Sequence, residues 1–143
     1  MKKFISIIAA LIFLVSCSQV LFYNAKLEPL QEDLIKGSPI IFSGVYRQDL
    51  QFSGAAVEIS GGQQSYRIIV INDLGIELFQ AEIHKEAGNN LITKSVLSKK
   101  ILNEFMDFFL SYFYGCIDGI LEESDGKIYY KKNGKIIIWT VKQ

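Results

Sequence analysis

The segment from Lys99 to Tyr114 leaves this chain few ways to fold. Leu102, Phe105, Met106, Phe109 and Phe113 recur at spacings of three and four, one face of a helix. Ile101, Phe108, Leu110 and Tyr112 widen that face well beyond a stripe. Ser98 stands where a helix N-cap belongs, and Gly115 where a helix ends. A helix this apolar has to be covered on most sides, or lie against something apolar. The rest of the chain must therefore supply a surface that wraps it.

That surface reads as β-sheet. From Ile40 to Phe52 the period shortens to two, with Phe42, Tyr46, Leu50 and Phe52 on one parity and Gly44 suggesting a bend. Ser53-Gly54 reads as a turn. Ala55, Val57 and Ile59 then alternate with Ala56 and Glu58, and Gly61-Gly62 reads as a hairpin loop. Tyr66 to Ile71 is rich in β-branched residues. Asn72-Asp73-Leu74-Gly75 breaks it, and Ile76 to Ile83 resumes as a strand. Gly88-Asn89-Asn90 marks another turn, and Leu91 to Val96 a fifth strand. After the helix, Glu122 to Gly126 reads as a polar link. Lys127 to Lys132 and Lys135 to Val141 then flank Asn133-Gly134, the strongest two-residue hairpin signal. Before the sheet, Leu27, Leu30 and Leu34 predict a short helix over residues 26–36, with Gly37 as its stop. The expected fold is α+β: a curved antiparallel sheet, a partial β-barrel, with the Phe-rich helix on its concave face and a short N-terminal helix.

The N-terminus carries a different message. Lys2 and Lys3 precede an apolar run from Phe4 to Val15 that is too short to span a bilayer. Leu14-Val15-Ser16-Cys17 resembles the lipobox of bacterial lipoproteins. The resemblance implies a signal peptide over residues 1–16, cleavage before Cys17 and acylation of that cysteine. A short membrane helix, or an ordinary signal peptide with a chance cysteine, is the plainer alternative. Residues 17–25 would form a tether and residues 26–143 a single domain.

Composition excludes more than it asserts. The chain has 15 basic and 15 acidic side chains. Loss of Lys2 and Lys3 leaves a slight acidic excess, with scattered basic residues, so nucleic acid is not an expected partner. With Cys17 acylated, Cys116 would be the one remaining thiol, and no internal disulfide could form. The core must then rest on packing, for which an apolar fraction of 50% and 10 phenylalanines are ample. His84 is the single histidine, no His/Cys group has zinc spacing, and no phosphate-binding loop appears. Neither catalysis, nor a metal, nor a cofactor is expected.

One segment points to a family. Tyr66-Arg67-Ile68-Ile69-Val70-Ile71-Asn72-Asp73-Leu74-Gly75-Ile76-Glu77-Leu78 resembles a strand–turn–strand of LolB, the outer-membrane lipoprotein receptor. Asp73 replaces the proline usual in that turn. The helix leading to Phe42-Ser43-Gly44, the Asn133-Gly134 hairpin and the lipobox add weaker matches. Compared with the family, the chain stops early after Val141 and has one helix in place of a longer helical region. The resemblance implies that Leu74 projects as a hydrophobic hook into lipid. It also implies binding of lipid or lipoprotein acyl chains, a periplasmic carrier protein as partner, and a lipid-anchored place on the periplasmic face of the outer membrane.

The residues themselves leave two readings of the interior. An acyl-chain cavity would be lined by Val57, Ile59, Ile68, Val70 and Leu78 from the sheet and by Leu102, Phe105, Phe109 and Phe113 from the helix. Alternatively these side chains fill a solid core, and the protein is a structural or adaptor lipoprotein that binds an envelope protein. For Leu74 the alternative to a hook is a leucine folded back over the sheet edge.

Overall fold

A computed structural model describes residues 22–24, 35–59, 65–85, 90–92, 95–115 and 119–142. Within them lie nine strands and one helix. They are β1 (Phe22–Asn24), β2 (Ile35–Tyr46), β3 (Leu50–Ile59), β4 (Ser65–Asn72), β5 (Glu77–His84), β6 (Asn90–Ile92), α1 (Lys99–Tyr114), β7 (Ile120–Ser124), β8 (Lys127–Lys132) and β9 (Lys135–Lys142). The strands form one sheet in the order β1-β6-β5-β4-β3-β2-β9-β8-β7. Strands β2 to β6 make one antiparallel meander and β7 to β9 another. The two join where β2 pairs antiparallel with β9, from Phe42 opposite Lys142 to Tyr46 opposite Ile138. Only β1, which lies parallel to β6, departs from the antiparallel pattern.

Helix α1 links the two meanders and packs across both. The Phe105 ring lies 5.6 Å from Phe79 on β5, and Phe108 lies 6.1 Å from Tyr130 on β8. Those two strands are five steps apart in the sheet, which would be about 24 Å on a flat surface. A helix only about 10–12 Å wide can reach both when the sheet curls around it. The concave face is therefore the helix face, as the apolar girth of the segment requires. Ser98 caps the helix, its Oγ accepting from the Ile101 amide at 3.4 Å. Gly115 closes it in a left-handed conformation, donating its amide to the Ser111 carbonyl.

The core is aromatic. Phe105 stacks on Tyr46 at 5.3 Å and meets Phe52 edge-on at 5.0 Å, and Phe109 meets Phe42 at 5.3 Å. Toward the helix C-terminus, Phe113 stacks on Tyr66 at 4.1 Å, and Tyr114 donates its hydroxyl to the Ile83 carbonyl. The helix thus runs from the end of the sheet that holds the β4–β5 turn to the opposite end.

Several sequence expectations need correction. The predicted N-terminal helix lies mostly outside the described residues, and its last two positions, Ile35 and Lys36, open β2 together with Gly37. The chain reverses at Arg47-Gln48-Asp49, not at Ser53-Gly54, which lie inside β3. Arg47 and Gln48 both take positive φ, at 46° and 70°, which turn chemistry did not foretell because neither is Gly or Asn. Gly54 serves packing instead. A Cβ there would stand 2.8 Å from the Phe42 ring and 2.3 Å from the Ile69 carbonyl oxygen. The polar link at Glu122 is the edge strand β7, turned into β8 at Asp125-Gly126. The fifth strand is described over Asn90–Ile92, residues 93–94 lie outside the described residues, and Val96 falls in a bend before the helix.

Candidate functional site

The β4–β5 turn is built to present a side chain. The Asn72 carboxamide oxygen accepts from the amides of Leu74 and Ile76, each at 2.9 Å. The Asn72 amide donates to the Ile76 carbonyl, and Gly75 supplies φ +79°. A side chain that takes two turn amides at once holds the loop in one shape. The result is Leu74 at 79% exposure, four residues before Leu78 at 6%. Ile76 is also exposed, and so is Val96, whose amide donates to the Leu78 carbonyl and which thereby stands at the same end of the sheet. The exposed Lys99 and Lys100 open α1 at this end. An exposed leucine forgoes roughly 1.5–3 kcal/mol of burial.

The expected cavity residues separate into two groups. Ile68, Val70, Phe105 and Phe109 are in the core, with Leu78 beside them on a bulge where β4 and β5 shift register. Leu102 and Phe113 pack partly buried against that core. Val57 and Ile59 are misplaced. Ala56 pairs with Ile68, whereas Val57 pairs with Arg67 and Ile59 with Ser65. Directly opposed residues share a face, so Val57 and Ile59 lie on the convex side. The inner parity of β3 is Phe52, Gly54 and Ala56, small at Gly54 where the Phe42 ring of β2 presses close. Hydropathy favours the bulkier row and so points the wrong way.

A crevice does open on the concave face, with different walls. Between the C-terminal half of α1 and strands β2, β8 and β9 lies an apolar space of about 320 Å³, counting its open side. From the helix come Phe108, Phe109, Tyr112 and Phe113. From the sheet come Ile40, Phe42, Ile128 and Thr140, with Lys142 the one charged residue among the described ones. Only Phe109 and Phe113 were expected there. Lys142 and Thr140 follow from the parity of β9, where they alternate with Val141, but that parity can be assigned only once Lys142 is seen opposite Phe42.

Two polar clusters flank these features. At the β2–β3 turn, Arg47 donates to both carboxylate oxygens of Glu104, from Nη2 at 2.8 Å and Nε at 3.2 Å. Tyr46 donates its hydroxyl to the same carboxylate. Burial pushes the Glu104 carboxyl up, but the hydrogen bonds from Arg47 and Tyr46 outweigh it and hold the carboxyl below its usual range. Burial and the Glu104 hydrogen bond raise Tyr46. This cluster ties the helix to the sheet. On the convex face, Ser65 Oγ lies 2.8 Å from His84 Nδ1, and His84 Nε2 lies 3.2 Å from Glu82, which pairs with Arg67 at 2.9 Å. Serine, histidine and carboxylate in that order can activate a nucleophile. Ser65 is however only 8% exposed and on the face opposite the crevice. The cluster reads as a tie between β4 and β5.

Cys17 and Cys116 lie outside the described residues. Among the described residues no group of three His, Cys, Asp or Glu could hold a metal, and no helix is long and apolar enough to cross a membrane. Comparison with protein-family models, curated proteins and solved structures finds no match to this chain.

Proposed function

We propose that this protein is a LolB-like envelope lipoprotein. It is anchored through acylated Cys17 to the periplasmic face of the outer membrane, and it binds acyl chains of lipids or lipoproteins without catalysis, aiding their insertion. The observation that carries this reading is Leu74. A leucine left exposed on a turn pinned by Asn72 is a fixed apolar projection, and lipid is what such a projection can enter. Ile76 and Val96 would deepen the contact, and Lys99 and Lys100 suit an anionic headgroup layer.

The test is delivery of cargo. Purified protein carrying a radiolabelled acylated lipoprotein is mixed with phospholipid vesicles. Leu74→Glu should fold normally yet release far less label to the vesicles than the native chain. Equal delivery by both would overturn the hook. Anchoring is tested separately, because stable attachment needs more than one acyl chain. Cys17→Ala should leave an uncleaved or soluble form, and a mature protein that still sediments with membranes would refute the lipobox assignment.

The full burial of Ile68, Val70, Phe105 and Phe109 favours a second reading, an adaptor lipoprotein with a solid core that binds a protein partner. Mass spectrometry of lipid co-purified with the protein separates the two: bound acyl lipid supports the first, and its absence supports the second.

A further inference from the structure

The described walls of the crevice are mostly hydrocarbon and ring, with one charge among them, and that charge is positive. Phe108, Phe109 and Phe113 form its helix side, and Ile40 and Ile128 its sheet side. Lys142 stands opposite Phe42, hence on the same face, near the end of β9. Its exposed position lets the ammonium reach water while its methylenes border the apolar wall. Thr140, two residues earlier on the same face, adds a hydroxyl. Among the described residues that line the crevice, none is a carboxylate that could neutralise Lys142.

We infer that this crevice takes one acyl chain ending in a carboxylate, with the chain along the aromatic wall and the head at Lys142. The inference rests on the acyl-binding reading above and narrows it. The space is open along one side, so a chain would lie as in a groove, with one flank on the aromatic wall and the other in solvent. One ammonium balances the single charge of a carboxylate, whereas a phosphomonoester carries close to two charges. The crevice runs along the C-terminal half of α1, whereas Leu74 stands at the end of the sheet where α1 begins. Occupancy of the crevice and contact of Leu74 with lipid therefore need not compete.

The experiment uses the full-length protein in phosphatidylcholine vesicles and three photoactivatable probes. They are hexadecanoate bearing a diazirine on its chain, the matching hexadecanol and the matching hexadecylammonium. Labelled peptides are mapped by mass spectrometry. The native chain should be labelled around Tyr112–Phe113 and Ile128, about two- to fivefold more by the acid than by the alcohol, the range of an exposed ion pair. Lys142→Met should abolish that preference while alcohol labelling persists. Lys142→Glu should reverse it toward a hexadecylammonium probe. Equal labelling of the native chain by acid and alcohol would overturn the carboxylate inference and leave acyl binding standing. Absence of crevice labelling by all three probes would overturn acyl binding at this crevice as well. Both substitutions are on the surface, and unchanged circular dichroism confirms that the fold is retained.

Discussion

Two large apolar side chains, Phe105 on the helix and Leu74 on the β4–β5 turn, meet opposite fates. Phe105 is fully buried among Tyr46, Phe52 and Phe79, and Leu74 is 79% exposed. Each is held firmly, one by ring packing and the other by an asparagine side chain that fixes the turn beneath it. The contrast shows that exposure here is not slackness. The chain spends order on both regions, but only the first returns it as burial. The second region is held in shape by local hydrogen bonds while its apolar side chain stays in solvent.

The largest effect should come from emptying the buried side. Phe105→Ala removes a ring that touches three strands, and should destabilise the domain by about 3–5 kcal/mol, read as a lower denaturant midpoint. A loss below about 1 kcal/mol would mean that the helix is not the plug of the sheet.

Next comes the clamp beside that ring. Glu104→Gln keeps the shape but loses the charge that Arg47 and Tyr46 hold, and should cost about 2 kcal/mol at neutral pH. The sign with pH follows from the lowered carboxyl. A carboxyl depressed in the folded state contributes its full stability above its unfolded value, near 4.3. That contribution is lost as pH falls through the folded value. The gap between native and Glu104→Gln proteins should therefore close on acidification, and a gap that widened instead would contradict the assignment.

A smaller effect should come from the exposed region. Asn72→Ala removes two turn hydrogen bonds near solvent, with an expected cost of about 1 kcal/mol. Hydrogen exchange at the Leu74 and Ile76 amides should speed up while the helix amides stay protected. Equal acceleration in both regions would erase the distinction drawn between them.

The smallest effect should come from Leu74 itself. Leu74→Glu should change stability by no more than about 0.5 kcal/mol, because the side chain has almost no burial to lose. Unfolding by this substitution would show Leu74 to be core after all, and the comparison would collapse.

What could be read from residue order alone is what local rules control. Helix α1 with its Ser98 cap and Gly115 stop, the Asn72–Gly75 turn and the Asn133-Gly134 hairpin all depend on groups within a few residues of one another, and each stands where period and turn chemistry put it. Leu74 was legible for the same reason. The choice of face was not legible. Whether Ala56 or Val57 looks inward depends on the Phe42 ring and the helix, which are distant in sequence, and the core demanded the smaller row. The Arg47-Gln48 turn depends likewise on Glu104, 57 residues away from Arg47. The crevice depends on β9 returning beside β2, which places Lys142 next to aromatic rings. Backbone hydrogen bonds and caps act over one turn of chain, but volume is shared by the whole sheet, so only the assembled structure decides which side chains share it.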